Sequence, residues 1–477
     1  MNILILEVSS SSAKAMIYSK EGMKHFHNIN YNKGISDLVT QDAEGIYHCL
    51  LKSAETVLKK CDYSIDIISL SSTWHSLLFL DQARKPVGKI MTWANSESAG
   101  TSRKYRQTGE LQKRFYQKTG CVIHSMYPLW KWIYLKEKGL VNNNNYFSSQ
   151  GEYIFERLTG EIGISQSMAS GTGMMNIHNL DWDQDILKFA EIDRKQLAPL
   201  RKPFYNAPLL KEEADKLGLP SGIPVIIAGP DGAFNQIGSG ALGSDVMTVS
   251  VGTSGALRMA SDHPVLPDDP STWCYYVAEG KRLAGAATSG AGNCLKWFKD
   301  QVQHNLVDYQ SLDQLSQKIN PKEAPIFLPF LYGERCPGWQ DESSGCYFDL
   351  RGNQGTGHLH YAIMEGVLFN LYQNYKILSK VGDLPKEIHI SGGIINSSFW
   401  LQMAADIFQR EMSTSHLKHA SLMGAAVTSL KVLGVIGNLQ QYETDLGKII
   451  KPRKDQAELY QSRYSRYVDC YHNSSKW

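Results

Sequence analysis

The chain lacks nearly everything that would tie it to a membrane, a nucleic acid or an oxidising compartment. Its 49 Lys and Arg stand against 47 Asp and Glu, and a net charge of +2 gives no basic footprint for nucleic acid or anionic lipid. The eight cysteines (Cys49, Cys61, Cys121, Cys274, Cys294, Cys336, Cys346, Cys470) form no Cys-x-x-Cys pair, and no histidine stands at zinc-ligand spacing. Structural thiols in a reducing compartment are therefore expected. No apolar run approaches the length of a bilayer span, and the start, Met1-Asn-Ile-Leu-Ile-Leu-Glu-Val, has no basic segment ahead of its apolar stretch. A cytoplasmic protein is the expectation. Low complexity is confined to Asn142–Asn145, which reads as a surface loop.

What is present is the composition of a globular protein, 42% hydrophobic and 20% charged, in 477 residues. That length exceeds what one core usually supports, so at least two domains with a cleft between them are expected. Asn2 to Val8, Ala15 to Tyr18 and His25 to Tyr31 read as antiparallel strands around a Ser9–Ser12 tip. A helix over Asp42 to Lys60 and a buried strand over Ile65 to Leu70 follow. The second half repeats the order: strands around Gly252-Thr-Ser-Gly255, a strand at Arg282 to Thr288, a long helix over Leu359 to Leu378, the strand Glu387 to Ser391 ending in Gly392-Gly393, and a helix over Ser397 to Arg410. The pattern predicts an internal duplication of one α/β unit, with the boundary near Gly238–Ser244, giving domains 1–240 and 241–477.

The most informative pair of motifs is Ala228-Gly-Pro-Asp231-Gly-Ala-Phe and Ser250-Val-Gly-Thr-Ser-Gly255. A carboxylate at a strand's carboxyl end can take a proton from a hydroxyl, and a glycine turn lets backbone N–H groups close on phosphate oxygens. Taken singly, each is also a good turn sequence without chemistry.

In combination with Ser72-Thr-Trp-His-Ser76, Met91-Thr-Trp-Ala-Asn95, Phe327-Leu-Pro-Phe-Leu-Tyr-Gly-Glu-Arg-Cys-Pro337 and Ser391-Gly-Gly393, the chain resembles the FGGY family of carbohydrate kinases along nearly its whole length. Within the family the likeness is to gluconate kinases and xylulokinases. The resemblance implies two actin/ribonuclease-H-like lobes, ATP and Mg2+ in the cleft, and a small-molecule sugar or sugar acid on the first lobe. It makes Asp231 the catalytic base and Glu7 the metal-side acid, with Ser10, Ser11 and Lys14 on the first phosphate tip. Gly252, Thr253, Gly292, Gly392, Gly393 and Asn396 fall on the nucleotide side, and Trp74, His75, Trp93 and Asn95 on the sugar side. Core packing remains an alternative for Trp74 and His75.

Departures from the family pattern are concentrated in the first tip. Glu7 stands for Asp, and Ser9 stands for a glycine, so its Cβ is expected to oppose a positive φ and push the backbone away from phosphate. Asn95 stands where relatives often carry Asp; Tyr134, Gly151 and Asp349 are lesser departures. Glu334 and Arg335 are expected as an ion pair bracing the cleft. The leading expectation is a gluconate kinase, with a pentulose kinase as the alternative. A catalytically impaired sugar-binding or regulatory protein is the alternative of another class. A homodimer is the default oligomer.

Overall fold

The protein is described here by a computed structural model covering residues 1–474. A strand over Asn2–Val8, apolar on both faces and completely buried beyond Asn2, lies inside a six-stranded sheet. It pairs antiparallel with Ser12–Ser19, which pairs antiparallel with Gly22–Asn30. On its other side it runs parallel to Ile67–Ser72, itself parallel to Pro224–Pro230, with Asn206–Pro208 at the edge. The crossover to Ile67–Ser72 carries the helix Ala43–Leu58, whose first turn is capped by Asp42 accepting from the Gly45 amide.

The second sheet has seven strands and repeats that plan. Val246–Val251 pairs antiparallel with Gly255–Ser261, which pairs antiparallel with Lys281–Thr288. Val246–Val251 also runs parallel to Glu387–Ser391, next to Met412–Thr414 and then Ile449–Ile450. The helix Thr356–Val381 occupies the place of Ala43–Leu58. Each copy carries a late helix, Asp231–Gly238 and Ala420–Val432, and these two pack against each other. The duplicated α/β unit expected from the strand–tip–strand pattern is therefore present in both sheets.

Two features lay outside that pattern. Trp273–Ala278 adds an edge strand to the second sheet. A small sheet of Thr40–Gln41, Pro86–Met91, Leu77–Leu80 and Tyr146–Ser148 is inserted in the first half with helices between residues 99 and 137. Asn142 to Asn144 are exposed in a turn, as the loop expectation had it. The eight cysteines are free thiols. Among the described residues, no helix is long and apolar enough to cross a membrane.

Candidate active site

The buried strand Pro224–Pro230 ends at a residue without an N–H, and the helix that follows starts on Asp231. The carboxylate thereby sits in a helix's first turn, with Oδ1 accepting from the Gly232 amide at 2.7 Å. Gly232 is required by a close approach: a Cβ there would lie 2.7 Å from Cζ3 of Trp74. Burial and the nearby Glu7 charge push the Asp231 carboxyl up to about 6, against the opposing pull of the Gly232 amide and Arg258. Such a group is ionised at neutral pH and more basic than an ordinary aspartate.

Asp231 lines a cavity of about 420 Å³ to which both halves of the chain contribute. From the first half come Ser10, Trp74, His75 and Trp93; from the second, Ser254, Arg258, Tyr275 and Arg335. The Trp74 indole donates to the Ser167 carbonyl at 3.0 Å and packs on Tyr275 with ring centroids 4.8 Å apart. His75 is held at a φ of +67°, a conformation rare outside glycine and enriched at functional sites. Its Nδ1 donates to the Gly171 carbonyl at 2.6 Å. Burial, with Lys131 and Arg335 adding to it, lowers the imidazole to about 3, so the ring is neutral and Nε2 keeps its lone pair. A stack of aromatic rings with one neutral acceptor suits a polyol.

The first tip is closed on itself. The Ser9 hydroxyl donates to the Ser12 carbonyl at 2.9 Å and accepts from the amides of Ser12 at 3.1 Å and Ser11 at 3.4 Å. Ser9 has no positive φ; the expected opposition to a glycine conformation is resolved by a turn that the hydroxyl itself stabilises. Glu7, only 1% exposed, faces Lys14 directly across the two strands. Its Oε1 takes the Lys14 ammonium at 2.6 Å and its Oε2 the Ser71 hydroxyl at 3.0 Å. The Ser10 hydroxyl accepts from the Trp93 indole at 2.8 Å, joining this tip to the sugar side.

The second tip is open. Gly252 donates to the Ser254 carbonyl at 2.9 Å, whereas the exposed Thr253 and Ser254 amides have no acceptor among the described residues. Gly292 donates to the Gly252 carbonyl at 2.9 Å, bringing the helix Gly292–Trp297 onto the tip. Gly392, at φ +92°, leaves its missing Cβ only 2.5 Å from the Val251 carbonyl oxygen. Gly252, Thr253, Gly292 and Gly392 are thus brought together, with Gly393 and Asn396 on the exposed turn that follows.

Other expectations fare differently. Asn95 does not line the cavity; its side chain is engaged with Glu97 in its own turn. Glu334 and Arg335 form no ion pair. Glu334 accepts from Tyr471 at 2.6 Å and the Gly338 amide at 2.9 Å, while Arg335 turns toward the cavity, where among the described residues its one hydrogen bond is to Met126 Sδ at 3.3 Å. Asp349 pairs with Arg466, at a groove of about 1050 Å³ that shares no residue with the Asp231 cavity.

Sequence reading missed Lys131 and Arg258. Lys131 is fully buried and donates to three carbonyls, Thr92 at 2.7 Å, Met126 at 2.8 Å and His75 at 3.0 Å, pinning the segments that carry the sugar side. Its signal is a lysine between Trp130 and Trp132. The signal for Arg258 is a lone cation in the apolar strand Gly255–Ser261.

Among the described residues no three His, Cys, Asp or Glu side chains cluster as a self-sufficient metal cage. Glu7 and Asp231 are close enough for one charge to raise the other carboxyl, which fits a hydrated Mg2+ completed by phosphate oxygens rather than by protein.

Residues 2–238 match the N-terminal domain, and residues 247–431 the C-terminal domain, of the FGGY family of carbohydrate kinases. A gluconokinase of Bacillus subtilis is 29% identical over 98% of this chain and 95% of its own length. A xylulose kinase of Staphylococcus epidermidis is 24% identical over 92% and 89%. Among solved structures, ligand-bound xylulose kinase from Lactobacillus acidophilus superposes with a TM-score of 0.94 at 26% identity, covering 99% and 98% of the two chains. Gluconate kinase from the same organism gives 0.93 at 27%, with the same coverage. The two lobes are the actin/ribonuclease-H-like pair that these sugar kinases share.

Proposed function

This chain belongs to the FGGY family of carbohydrate kinases, and from that premise we propose that it transfers the terminal phosphoryl group of ATP to a hydroxyl of gluconate. The observation that carries the reading is Asp231, a carboxylate of raised basicity in a cavity reached by both strand tips. Full-length likeness to gluconokinases at 28–29% identity favours gluconate over the pentulose xylulose, whose kinases match at 23–26%.

In this mechanism the polyol lies against Trp74 and His75, and the neutral His75 Nε2 accepts from one of its hydroxyls. As the attacking oxygen bonds to phosphorus, its proton passes to Asp231, and the bond to the departing ADP oxygen breaks with its electron pair. The free amides of Thr253 and Ser254 meet phosphate oxygens, and the glycine turn at Gly392–Gly393 admits the nucleoside. Glu7 would hold a hydrated Mg2+ from its side of the cleft, and the ion would supply charge neutralisation on the phosphates. We assign sugar binding mainly to residues 1–240 and nucleotide binding to 241–477.

An ADP-release assay over gluconate, xylulose and other polyols tests the reading, with Asp231→Asn as control. Gluconate-dependent release abolished in the variant is expected; no turnover with any polyol overturns it. One observation favours a second reading, a sugar- and nucleotide-binding protein without turnover: in the first tip the Ser11 and Ser12 amides are already occupied by the Ser9 hydroxyl. Calorimetry showing ATP and gluconate bound together with no ADP formed would establish that alternative.

A further inference from the structure

Two guanidinium groups enter the Asp231 cavity from the second half of the chain, Arg258 on the strand Gly255–Ser261 and Arg335 after the turn at Gly333. Neither has a salt-bridge partner among the described residues, although 24 ion pairs are present elsewhere. Arg258 feels the charge of Arg335 unfavourably, and the one opposing charge that acts on it is Asp231. An arginine in a cavity with no carboxylate within ion-pair distance is unusual, because guanidinium groups drawn in from bulk water are normally paired.

The two cations have different neighbours in the cavity. Arg258 is coupled to Asp231, where the phosphoryl group must arrive. Arg335 contacts the sugar side: its guanidinium lies 5.8 Å from the centre of the Trp93 ring and 3.3 Å from Met126 Sδ, and its charge reaches His75 and Tyr275. Neither an aromatic face nor a thioether neutralises a cation. Glu334, its neighbour in sequence, is occupied by Tyr471 and Gly338 and does not reach it. The fork geometry of arginine matches a carboxylate with two parallel N–H···O bonds. A carboxylate placed beside Asp231 would instead meet a like charge.

We infer that Arg335 is the specificity-determining residue that seats the carboxylate of a sugar acid, with its accepting hydroxyl directed away toward Asp231. The assignment rests on the proposed gluconate reading and deepens it. It makes the preference for a sugar acid over a neutral sugar a property of one side chain contributed by the second half of the chain. Substrate recognition is then divided between the lobes, the polyol chain lying on Trp74 and His75 and the charged end on Arg335.

The test compares gluconate with D-glucitol, which has a hydroxymethyl group in place of the carboxylate, and with xylulose. Wild type, Arg335→Met and Arg335→Lys are each assayed for KM and kcat and titrated calorimetrically with the two six-carbon ligands. Arg335→Met is expected to raise KM and Kd for gluconate roughly 10- to 100-fold, with the neutral ligands moved less than about threefold. Arg335→Lys, which keeps the charge and loses the fork, is expected to fall between. If the wild type prefers gluconate and Arg335→Met keeps that preference, the inference is overturned while the gluconate reading stands. If the wild type shows no preference for gluconate over the neutral polyols, both are overturned. If Arg335→Met weakens all ligands equally, the residue shapes the cavity without reading charge, and the inference also falls.

Discussion

The same strand–tip–strand element occurs twice in this molecule, and its two copies have opposite chemistry. At Ser9–Ser12 the amides of Ser11 and Ser12 are taken up by the Ser9 hydroxyl, and the adjoining carboxylate of Glu7 is matched by Lys14 and Ser71. At Gly252–Ser254 there is no acid or lysine in the equivalent positions, which hold Ser250 and Ala256, and the Thr253 and Ser254 amides point to no acceptor. A duplicated backbone thus fixes where a tip lies, and local side chains decide whether its donors are available to a ligand. On this reading the second tip is ready for phosphate as it stands, whereas the first must break internal contacts before it can contribute.

The largest effect is expected at Asp231, where the territories of the two tips meet. Asp231→Asn should lower kcat by about 10²- to 10⁴-fold with modest change in KM, measured by steady-state ADP release. A tip-confined variant that exceeded it would mean that phosphate placement, not proton transfer, limits the reaction. The carboxyl titrates near 6, above its ordinary 3.8, so wild-type kcat/KM should fall as pH drops through about 6. The sign for stability is opposite to that for activity. A raised carboxyl destabilises the ionised folded state above about pH 6 and has no effect below about pH 4, where the group is protonated folded and unfolded alike. The shift corresponds to at most about 3 kcal/mol, so Asp231→Asn should melt higher than wild type at neutral pH and together with it near pH 3.

Next in size is Lys14→Met, which leaves Glu7 buried with Ser71 as its one remaining partner. A loss of about 2 kcal/mol in urea unfolding is expected, because an unmatched buried carboxylate is costly. Addition of Mg2+ and nucleotide should recover part of that loss if Glu7 serves the metal. Equal losses with and without Mg2+ would remove Glu7 from the metal side and leave the first tip purely structural.

At the second tip, Gly392→Ala places a Cβ 2.5 Å from the Val251 carbonyl oxygen at a φ of +92°. The KM for ATP should rise about tenfold with the KM for gluconate unchanged, since the strain falls on the nucleotide side and the sugar contacts lie elsewhere. If both KM values rise together, the turn supports the whole cleft, and the division between the tips is less sharp than drawn here.

Much of the framework was legible in the residues because it is periodic. The strands Asn2–Val8 and Val246–Val251, the helix Thr356–Val381 and the glycine turn after Ser391 follow from apolar spacing and turn chemistry. The small sheet was not, since strands of two to six residues scattered from Thr40 to Ser148 gain their pairing only through long-range contacts. The Glu334–Arg335 expectation failed for a geometric reason: adjacent side chains on a non-helical stretch diverge, so neighbours in sequence serve different surroundings. Lys131 carried no motif, and its role appears only when the carbonyls of Thr92, Met126 and His75 converge on its ammonium.

The smallest expected effect tests the comparison most directly. Ser9→Gly removes the hydroxyl that accepts from Ser11 and Ser12 and returns a glycine to the turn, making the first tip resemble the second. One gain opposes two losses: freed amides can reach phosphate, but the turn loses its internal bonds and acquires backbone freedom. The net change should therefore be a two- to fivefold fall in the KM for ATP, with a melting temperature lowered by a few degrees. Because Ser9→Ala removes the same hydroxyl and frees the same amides, it should lower stability similarly and share the fall in the KM for ATP. A KM for ATP that stays at the wild-type value in both variants would show that phosphate never engages the first tip, and that the duplicated element has divided its labour completely.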